Sequence, residues 1–459
     1  MTSADLDVIV AGAGVSGLVA ARRLVSGGLT VAVVEARPQV GGRTMLTEAH
    51  GITIDRGGQF FGTGMRHLVA LLEELQIGTK PNGSMRNPDD LDVWYRKGER
   101  QTYRGELPPL SESGGAALLT AMGQLQAMSD GISLEKPWDS PGAARLDAMT
   151  LGAWLDANVT DEEATHVLTA LFSLACVAPP AQLSMLFALW FLAGAGGIEG
   201  MGADVDLTIV GGAGSVAQRL ATDLGDRVRC DWPLRIVDRT DDGVSVTGPG
   251  GEVLTARRLI IAMSPADARH IEFGPQLPTA RQALQTSWQQ HAILKFHVFY
   301  DTPFWRAGGL SGAALSDLPG APIVFDGSPE DDSVGILLGF LAIHSPRLFG
   351  GNEPELLDDP ERLRDEIVGA LTEYFGAAAA EPTTVLIHNW ALEPHISGVL
   401  GATPPGLLTA FGEALRSPVG PIHWAGTETA LRWSGWISGA VEAGERAARE
   451  VADALQPAN

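Results

Sequence analysis

Cysteine is nearly absent from this chain: its 459 residues contain two, Cys176 and Cys230. Two thiols cannot build a disulfide scaffold or a multi-cysteine metal site. Basic residues are also scarce, 32 Lys and Arg against 55 Asp and Glu, for a formal net charge of −23. That balance repels phosphates and anionic lipid headgroups, so neither nucleic acid nor a membrane surface is expected as a partner. No long apolar run is present. The longest, from Met185 to Ala195, ends at Gly196-Gly197 and falls well short of the roughly 20 residues that span a bilayer, so a buried helix is expected there. Met1 to Asp7 holds acids and no basic residue, which removes a secretory leader from consideration. The motifs G-x-S-x-G and H-E-x-x-H do not occur, and the ten histidines are scattered without metal spacing, so no metal is expected. What remains, 45% hydrophobic and 19% charged, describes a soluble globular protein with ample length for two large domains, expected in the cytoplasm.

The N-terminal pattern is the sharpest one present. Leu6 to Val10 is a short apolar run, followed by Ala11-Gly12-Ala13-Gly14-Val15-Ser16-Gly17 and a helical stretch through Leu24. Gly27-Gly28 breaks the helix, and Thr30 to Val34 forms a second β-branched run ending at Glu35. This order predicts a βαβ unit. From about residue 80 to 205 the chain reads as polar loops (Pro81 to Asp92, Pro108 to Gly115) and then helices, such as Leu151 to Leu155 and Glu162 to Leu174. A second glycine turn, Val210 to Gly214, precedes a helix and several short strands separated by Asp-Asp-Gly and Pro-Gly turns. His291 to Tyr300 reads as a strong strand, Pro360 to Tyr374 as a helix and Thr384 to Trp390 as a strand. The end is a strand from Pro421 to Ala425, a tight turn, and a helix from about Ser434 to Leu455.

Gly12, Gly14 and Gly17 form G-x-G-x-x-G between a strand and a helix. The first glycine permits the turn, the second lets the backbone approach a pyrophosphate, and the third lets helix and strand pack closely. Alone, such a triplet is weak evidence. Glu35 strengthens it, because it ends the second strand where a ribose hydroxyl needs an acceptor. The dinucleotide could be NAD or FAD. The string Glu35-Ala-Arg37-Pro-Gln-Val-Gly41-Gly42-Arg43 then adds a second glycine pair and two arginines, whose planar forks suit a pyrophosphate.

That E-x-R-x-x-x-G-G-R string resembles the flavin monoamine oxidase superfamily, and the resemblance makes the nucleotide FAD. Residues 421 to 449, containing Ala425-Gly426-Thr427-Glu428 and Trp433-Ser434-Gly435-Trp436-Ile437, are similar to the terminal motif of the same family. Gly57-Gly58-Gln59, Thr302-Pro303-Phe304-Trp305 and Pro404-Pro405-Gly406 extend the likeness through most of the chain. It implies an α/β fold, a Rossmann-like FAD-binding domain interleaved with an α+β substrate-binding domain. The implied FAD-binding segments are 1–80, 207–288 and 391–459, and the substrate segments 81–206 and 289–390. By resemblance, Gly426, Thr427 and Glu428 approach the pyrophosphate and ribityl chain, and Trp436 and Ile437 lie at the flavin. Leu234 meets the adenine, and Gly58, Gln59 and Trp390 complete the cofactor side. Gly435, Gly439, Ala443 and Ala447 recur every four residues, which predicts one bulk-free face on the last helix.

Lys295 lies within an apolar strand and shares a face with Ile293 and His297. The residues alone favour a solvent-facing lysine. The resemblance instead implies the family lysine that faces the flavin, and Lys295 is the leading catalytic candidate. Trp436 matches one wall of the aromatic pair that holds the amine in many relatives. The loop Ser397 to Thr403, which should supply the other wall, has no aromatic residue, so Leu400 is expected opposite. It also lacks the cysteine that tethers FAD in the mitochondrial relatives, and FAD is expected to be non-covalent. The chain's end at Asn459 is likewise read as lacking their membrane tail. Alignment assigns Ala175, Cys176, Met201, Leu207 and Phe340 to the rest of the substrate pocket. The expected reaction converts a small hydrophobic primary or secondary amine to an imine, hydrolysed to an aldehyde or ketone, with O2 reduced to H2O2. An L-amino acid oxidase, a flavin desaturase and a non-catalytic regulator on the same fold are the alternatives. The assembly is left open, a homodimer being one option.

Overall fold

The computed structural model describes residues 6–456 except 106, 203–204, 241–242, 319 and 343–358. The expected Asp241-Asp242 part of one turn lies outside them. Leu6–Ala11, the helix Val15–Ser26 and Val31–Val34 form the anticipated βαβ unit, with both strands parallel and largely buried. They belong to an eight-stranded sheet whose parallel part also contains Val228–Arg229, Val253–Ala262 and Ile422–Ala425. The strand Val253–Ala262 organises this sheet. Its first residues pair antiparallel with Val244–Thr247, and its last four pair parallel with Ile422–Ala425. Segments from the start, middle and end of the chain therefore meet in one sheet.

A seven-stranded, mostly antiparallel sheet forms the second layer. Its order is Thr384–Asn389, Ile293–Tyr300, Gly335–Ala342, Ile323–Asp326, Leu310–Ser316, Leu91–Arg96 and Glu99–Tyr103. The helix Pro360–Phe375 covers one face, burying Leu363, Ile367 and Leu371 against Leu294, Phe296 and Val298. Strand periodicity of two sends Ile293, Lys295 and His297 to the opposite face.

Three sequence expectations change here. The loop expected from Pro81 to Asp92 gives way at Leu91 to the strand Leu91–Arg96, which pairs with Glu99–Tyr103. Lys97 and Gly98 both take positive φ, 52° and 81°, the geometry of a two-residue hairpin turn. The outer strand is largely exposed, so its polarity reflects an edge position. Pro108 to Gly115 is not all loop, since a helix begins at Glu112, capped by the Ser111 hydroxyl on Gly114 N–H. The last helix runs Ile437–Leu455 with Trp436 as its N-cap, which leaves Gly435 outside it at φ 89°. It packs against Val15–Ser26 at Gly444, where a Cβ would stand 2.3 Å from Ser16 O.

Met185–Ala195 is a helix buried on nearly all sides, as an apolar run too short for a bilayer requires. Among the described residues, no helix is long and apolar enough to cross a membrane, and no cluster of His, Cys, Asp and Glu could hold a metal ion.

Candidate active site

One cavity of about 540 Å³ runs between the two sheets. At one end it meets the glycine turn, whose three glycines have separable duties. Gly12 sits at φ 106°, and a Cβ there would stand 2.7 Å from Ala262 O. A Cβ on Gly14 would meet nothing within 4 Å, because that side is the open cavity. Gly17 faces inward, where a Cβ would lie 2.0 Å from Gly12 O. The helix N-terminus at Gly14 has no side-chain cap, so its N–H groups and dipole stay available to an anion. Gly17→Ala must therefore force helix and turn apart. Overpacking of this kind costs about 1–3 kcal/mol of stability, which predicts a lowered Tm for the purified variant and weaker retention of a bound dinucleotide, read from its cofactor-to-protein absorbance ratio.

Glu35 is held for its task by two backbone donors: Ala13 N–H reaches Oε2 at 2.8 Å and Arg37 N–H reaches Oε1 at 3.0 Å. Trp232, Pro233 and Leu234 line the same end. An uncapped helix end, a glycine with no room-filling neighbour and a fixed acid together fit a dinucleotide.

Arg37 and Arg43 line the cavity, but each already has a carboxylate partner. Arg37 lies 3.2 Å from Glu393, and Arg43 pairs with Glu428 at 2.7 Å and donates to Val399 O at 2.9 Å. Glu428 is 1% exposed and, unlike its neighbours Gly426 and Thr427, does not line the cavity. This corrects its expected direct contact with the cofactor: Glu428 orients Arg43, tying the N-terminal string to the terminal one. Burial alone would raise its pKa, yet the Arg43 charge and hydrogen bonds hold it below the usual carboxylate range. A second link joins the two ends of the chain, Ser16 Oγ accepting from Gly426 N–H at 3.0 Å.

Gly42, Gly58, Trp390, Trp436 and Ile437 also line the cavity. The Trp390 ring is fully buried, its Nε1–H donating to Arg56 O at 2.9 Å. Close by, His388 accepts from Arg56 Nε at 3.3 Å and lies 3.2 Å from Glu393. Burial, with the Arg56 and Arg37 charges, pushes His388 down to about 4, so it is neutral at neutral pH.

Lys295 is 0% exposed and lines the cavity. The solvent-facing placement that its residues alone favoured is thereby overturned, because the loop Arg56–Gln59 covers its side of the strand. Its Nζ donates to Gly57 O at 2.8 Å and to Gln59 Oε1. Burial pushes the lysine below its ordinary value, against the Asp55 charge, and burial raises Asp55 in turn.

Beyond Lys295 the wall turns apolar. Phe60, Phe325 and Phe340 form an aromatic cluster with ring centroids 4.9 to 6.5 Å apart, and Leu174, Val177 and Val205 continue it. Leu400 lines the cavity beside Gly435, where its Cδ2 leaves no room for a Cβ. Four residues expected here, Ala175, Cys176, Met201 and Leu207, do not line the cavity. Ala175, Cys176 and Met201 are core residues, and Leu207 packs against that core from a strand pairing with Phe60–Phe61 and Thr79–Pro81. The helix Glu162–Cys176 presents Ser173 and Leu174 to the cavity, while Ala175, about 200° round from Ser173, and Cys176 pack in the core. Phe60 and Phe325 were missed for lack of a local pattern; Phe60 directly follows Gly57-Gly58-Gln59, which was the available signal.

The family described as flavin containing amine oxidoreductase matches residues 15–452. AofH of Mycobacterium tuberculosis, named for flavin-containing monoamine oxidase, is 38% identical over 456 residues, covering 98% of this chain and 97% of that protein. Human flavin-containing amine oxidase B is 33% identical, covering 98% of this chain and 86% of that protein. Among solved structures, cyclohexylamine oxidase from Brevibacterium oxydans aligns with a TM-score of 0.90 at 32% identity, covering 98% of this chain and 99% of that one. Putrescine oxidase bound to putrescine aligns with a TM-score of 0.91 at 29% identity, covering 98% of this chain and 99% of that one.

Proposed function

The chain belongs to the flavin containing amine oxidoreductase family, and from that premise we propose that it oxidises a hydrophobic monoamine, primary or secondary, using non-covalently held FAD with O2 as acceptor. The observation that carries this reading is the continuity of one cavity from the Gly12–Gly17 turn, past Lys295, to a wall of Phe60, Phe325 and Phe340. FAD, when bound, supplies the two-electron chemistry that turns an amine into an imine, which water hydrolyses to a carbonyl product.

The chain's own residues orient and select. Gly12, Gly14, Gly17 and Glu35 form the dinucleotide seat, with Arg37, Gly42 and Arg43 beside it and Leu234 at the adenine. Gly58, Gln59, Trp390, Gly426, Trp436 and Ile437 surround the flavin, and Lys295 supplies a buried amine at its reacting edge. Residues 1–80, 207–288 and 391–459 form the FAD-binding domain, the remainder the substrate domain. The two sheets, each assembled from separated segments, support that division.

The apolar wall selects for substrate. No carboxylate stands among Phe60, Leu174, Val177, Val205, Phe325 and Phe340, so a second cationic group would be buried there unpaired. Arg37 and Arg43 are both committed to glutamates, so neither serves an amino acid carboxylate. Anaerobic mixing with an amine panel tests this by following flavin absorbance near about 450 nm. Arylalkyl and cycloalkyl amines are expected to bleach it, with α,ω-diamines and amino acids slower by roughly a hundredfold for a buried unpaired charge. Bleaching by amino acids alone would overturn the reading. Acid precipitation is expected to leave yellow FAD in the supernatant, since the lining loop Ser397 to Thr403 has no cysteine; flavin retained in the pellet contradicts non-covalent binding.

A further inference from the structure

The residues gathered around the Lys295 ammonium come from one short segment. Asp55, Gly57 and Gln59 alternate along the chain between the strand Ile52–Asp55 and the strand Phe60–Phe61. Gly57 O and Gln59 Oε1 accept two of the Nζ hydrogens. Only glycine fits at 57, since a Cβ would lie 2.0 Å from Arg43 O and 2.9 Å from the Trp390 ring.

We propose that Gln59 is a positioning residue that keeps Lys295 an ammonium: its carboxamide oxygen fixes one Nζ hydrogen and leaves the remaining donor for the cavity. This adds a duty to Gln59, which lines the same cavity, and it rests on the reading of Lys295 as facing the flavin. Burying a cation costs free energy unless its hydrogens are taken up by acceptors. Here two neutral carbonyl-type acceptors take them, and the Asp55 carboxylate supplies the opposing charge. Burial raises Asp55, and Ala213 N–H, donating to Oδ1 at 2.8 Å at the start of the helix Gly214–Leu224, offsets part of that penalty on its anion. Each member of the pair thus has its own neutral hydrogen-bond partners, the condition under which a buried pair stays ionised.

The other groups facing Lys295 do not replace Gln59. On its own strand, His297 is buried and its pKa is driven well below the usual histidine range, chiefly by burial. On the neighbouring strand Thr384–Asn389, His388 is neutral, between Arg56 and Glu393. From Gly335–Ala342 comes Phe340, whose ring centroid is 5.4 Å from Nζ and carries no charge.

The test is a pH titration of the oxidised, flavin-loaded protein, following the flavin spectrum, which needs no substrate and no turnover. The Lys295-linked transition is the one missing from Lys295→Met. Gln59→Leu removes an acceptor of the ammonium, so the transition should move toward acid by on the order of one pH unit, a tenfold loss of proton affinity. Gln59→Glu adds an anion and should move it toward alkali. Gln59→Asn, which keeps a carboxamide, should restore part of the wild-type position. A transition present in Gln59→Leu and absent from wild type up to pH 10 also upholds the proposal, as a stronger clamp. Equal midpoints in wild type and Gln59→Leu, or no transition in either, overturn it. Because the readout is spectral, its failure is separate from failure of the amine panel.

Discussion

Lys295→Met is expected to slow reaction of the reduced, flavin-loaded protein with O2 by roughly 10²-fold or more, the scale of losing one preorganised charge in a water-poor site. Lys295 is fully buried and lines the cavity, and methionine keeps its length without its amine. The variant also strands Gly57 O and Gln59 Oε1 without their donor and leaves Asp55 without its counter-charge. A measurable fall in Tm should therefore accompany the kinetic loss. Stopped-flow mixing of photoreduced enzyme with oxygen reads the rate, and flavin content reads the integrity of the seat. A rate within threefold of wild type, with flavin retained, would remove Lys295 from the chemistry and return it to a structural role.

Arg43→Ala is expected to destabilise the protein by about 3–5 kcal/mol at neutral pH, because it leaves the Glu428 carboxylate buried and unpaired. Gln290 remains beside it, with Nε2 3.3 Å from Oε1, and does not cancel the charge. The pH dependence has a definite sign. In wild type the Glu428 pKa is held below its unfolded value, so its contribution is present above the unfolded carboxylate range and lost as pH falls through the folded pKa. Without Arg43, burial raises that pKa instead, and the penalty is relieved once the carboxyl is protonated. The Tm gap between wild type and variant should therefore be widest near neutral pH and narrow toward about pH 4. Arg43→Ala/Glu428→Gln should recover much of the loss, as removing both charges of a buried pair does. A double variant no more stable than the single one would show that Arg43 acts through its bond to Val399 O, not through Glu428.

Much of this molecule follows from local pattern. The βαβ unit was legible because strand, glycine triplet, helix and acid occur in one register, and each glycine has a steric reason visible in isolation. The buried helix Met185–Ala195 was legible from apolarity and length alone. Tertiary structure decided what pattern could not. Strand alternation put Lys295, Ile293 and His297 on one face, but whether that face met water or protein depended on the loop Arg56–Gln59, more than two hundred residues earlier in the chain. Glu428 looked like a cofactor ligand until its 1% exposure and its pairing with Arg43 showed it serving an arginine. At the end of the helix Glu162–Cys176, the packing around it turned Ser173 and Leu174 to the cavity and left Ala175 and Cys176 in the core. The scarcity of cysteine by itself excluded a disulfide scaffold, since composition bounds chemistry without any coordinates, and Cys176 and Cys230 are both free in the fold. Which side chains share the cavity is a property of long-range packing, where segments such as Asp55–Gln59 and Ile293–Tyr300 meet because each buries what the other exposes.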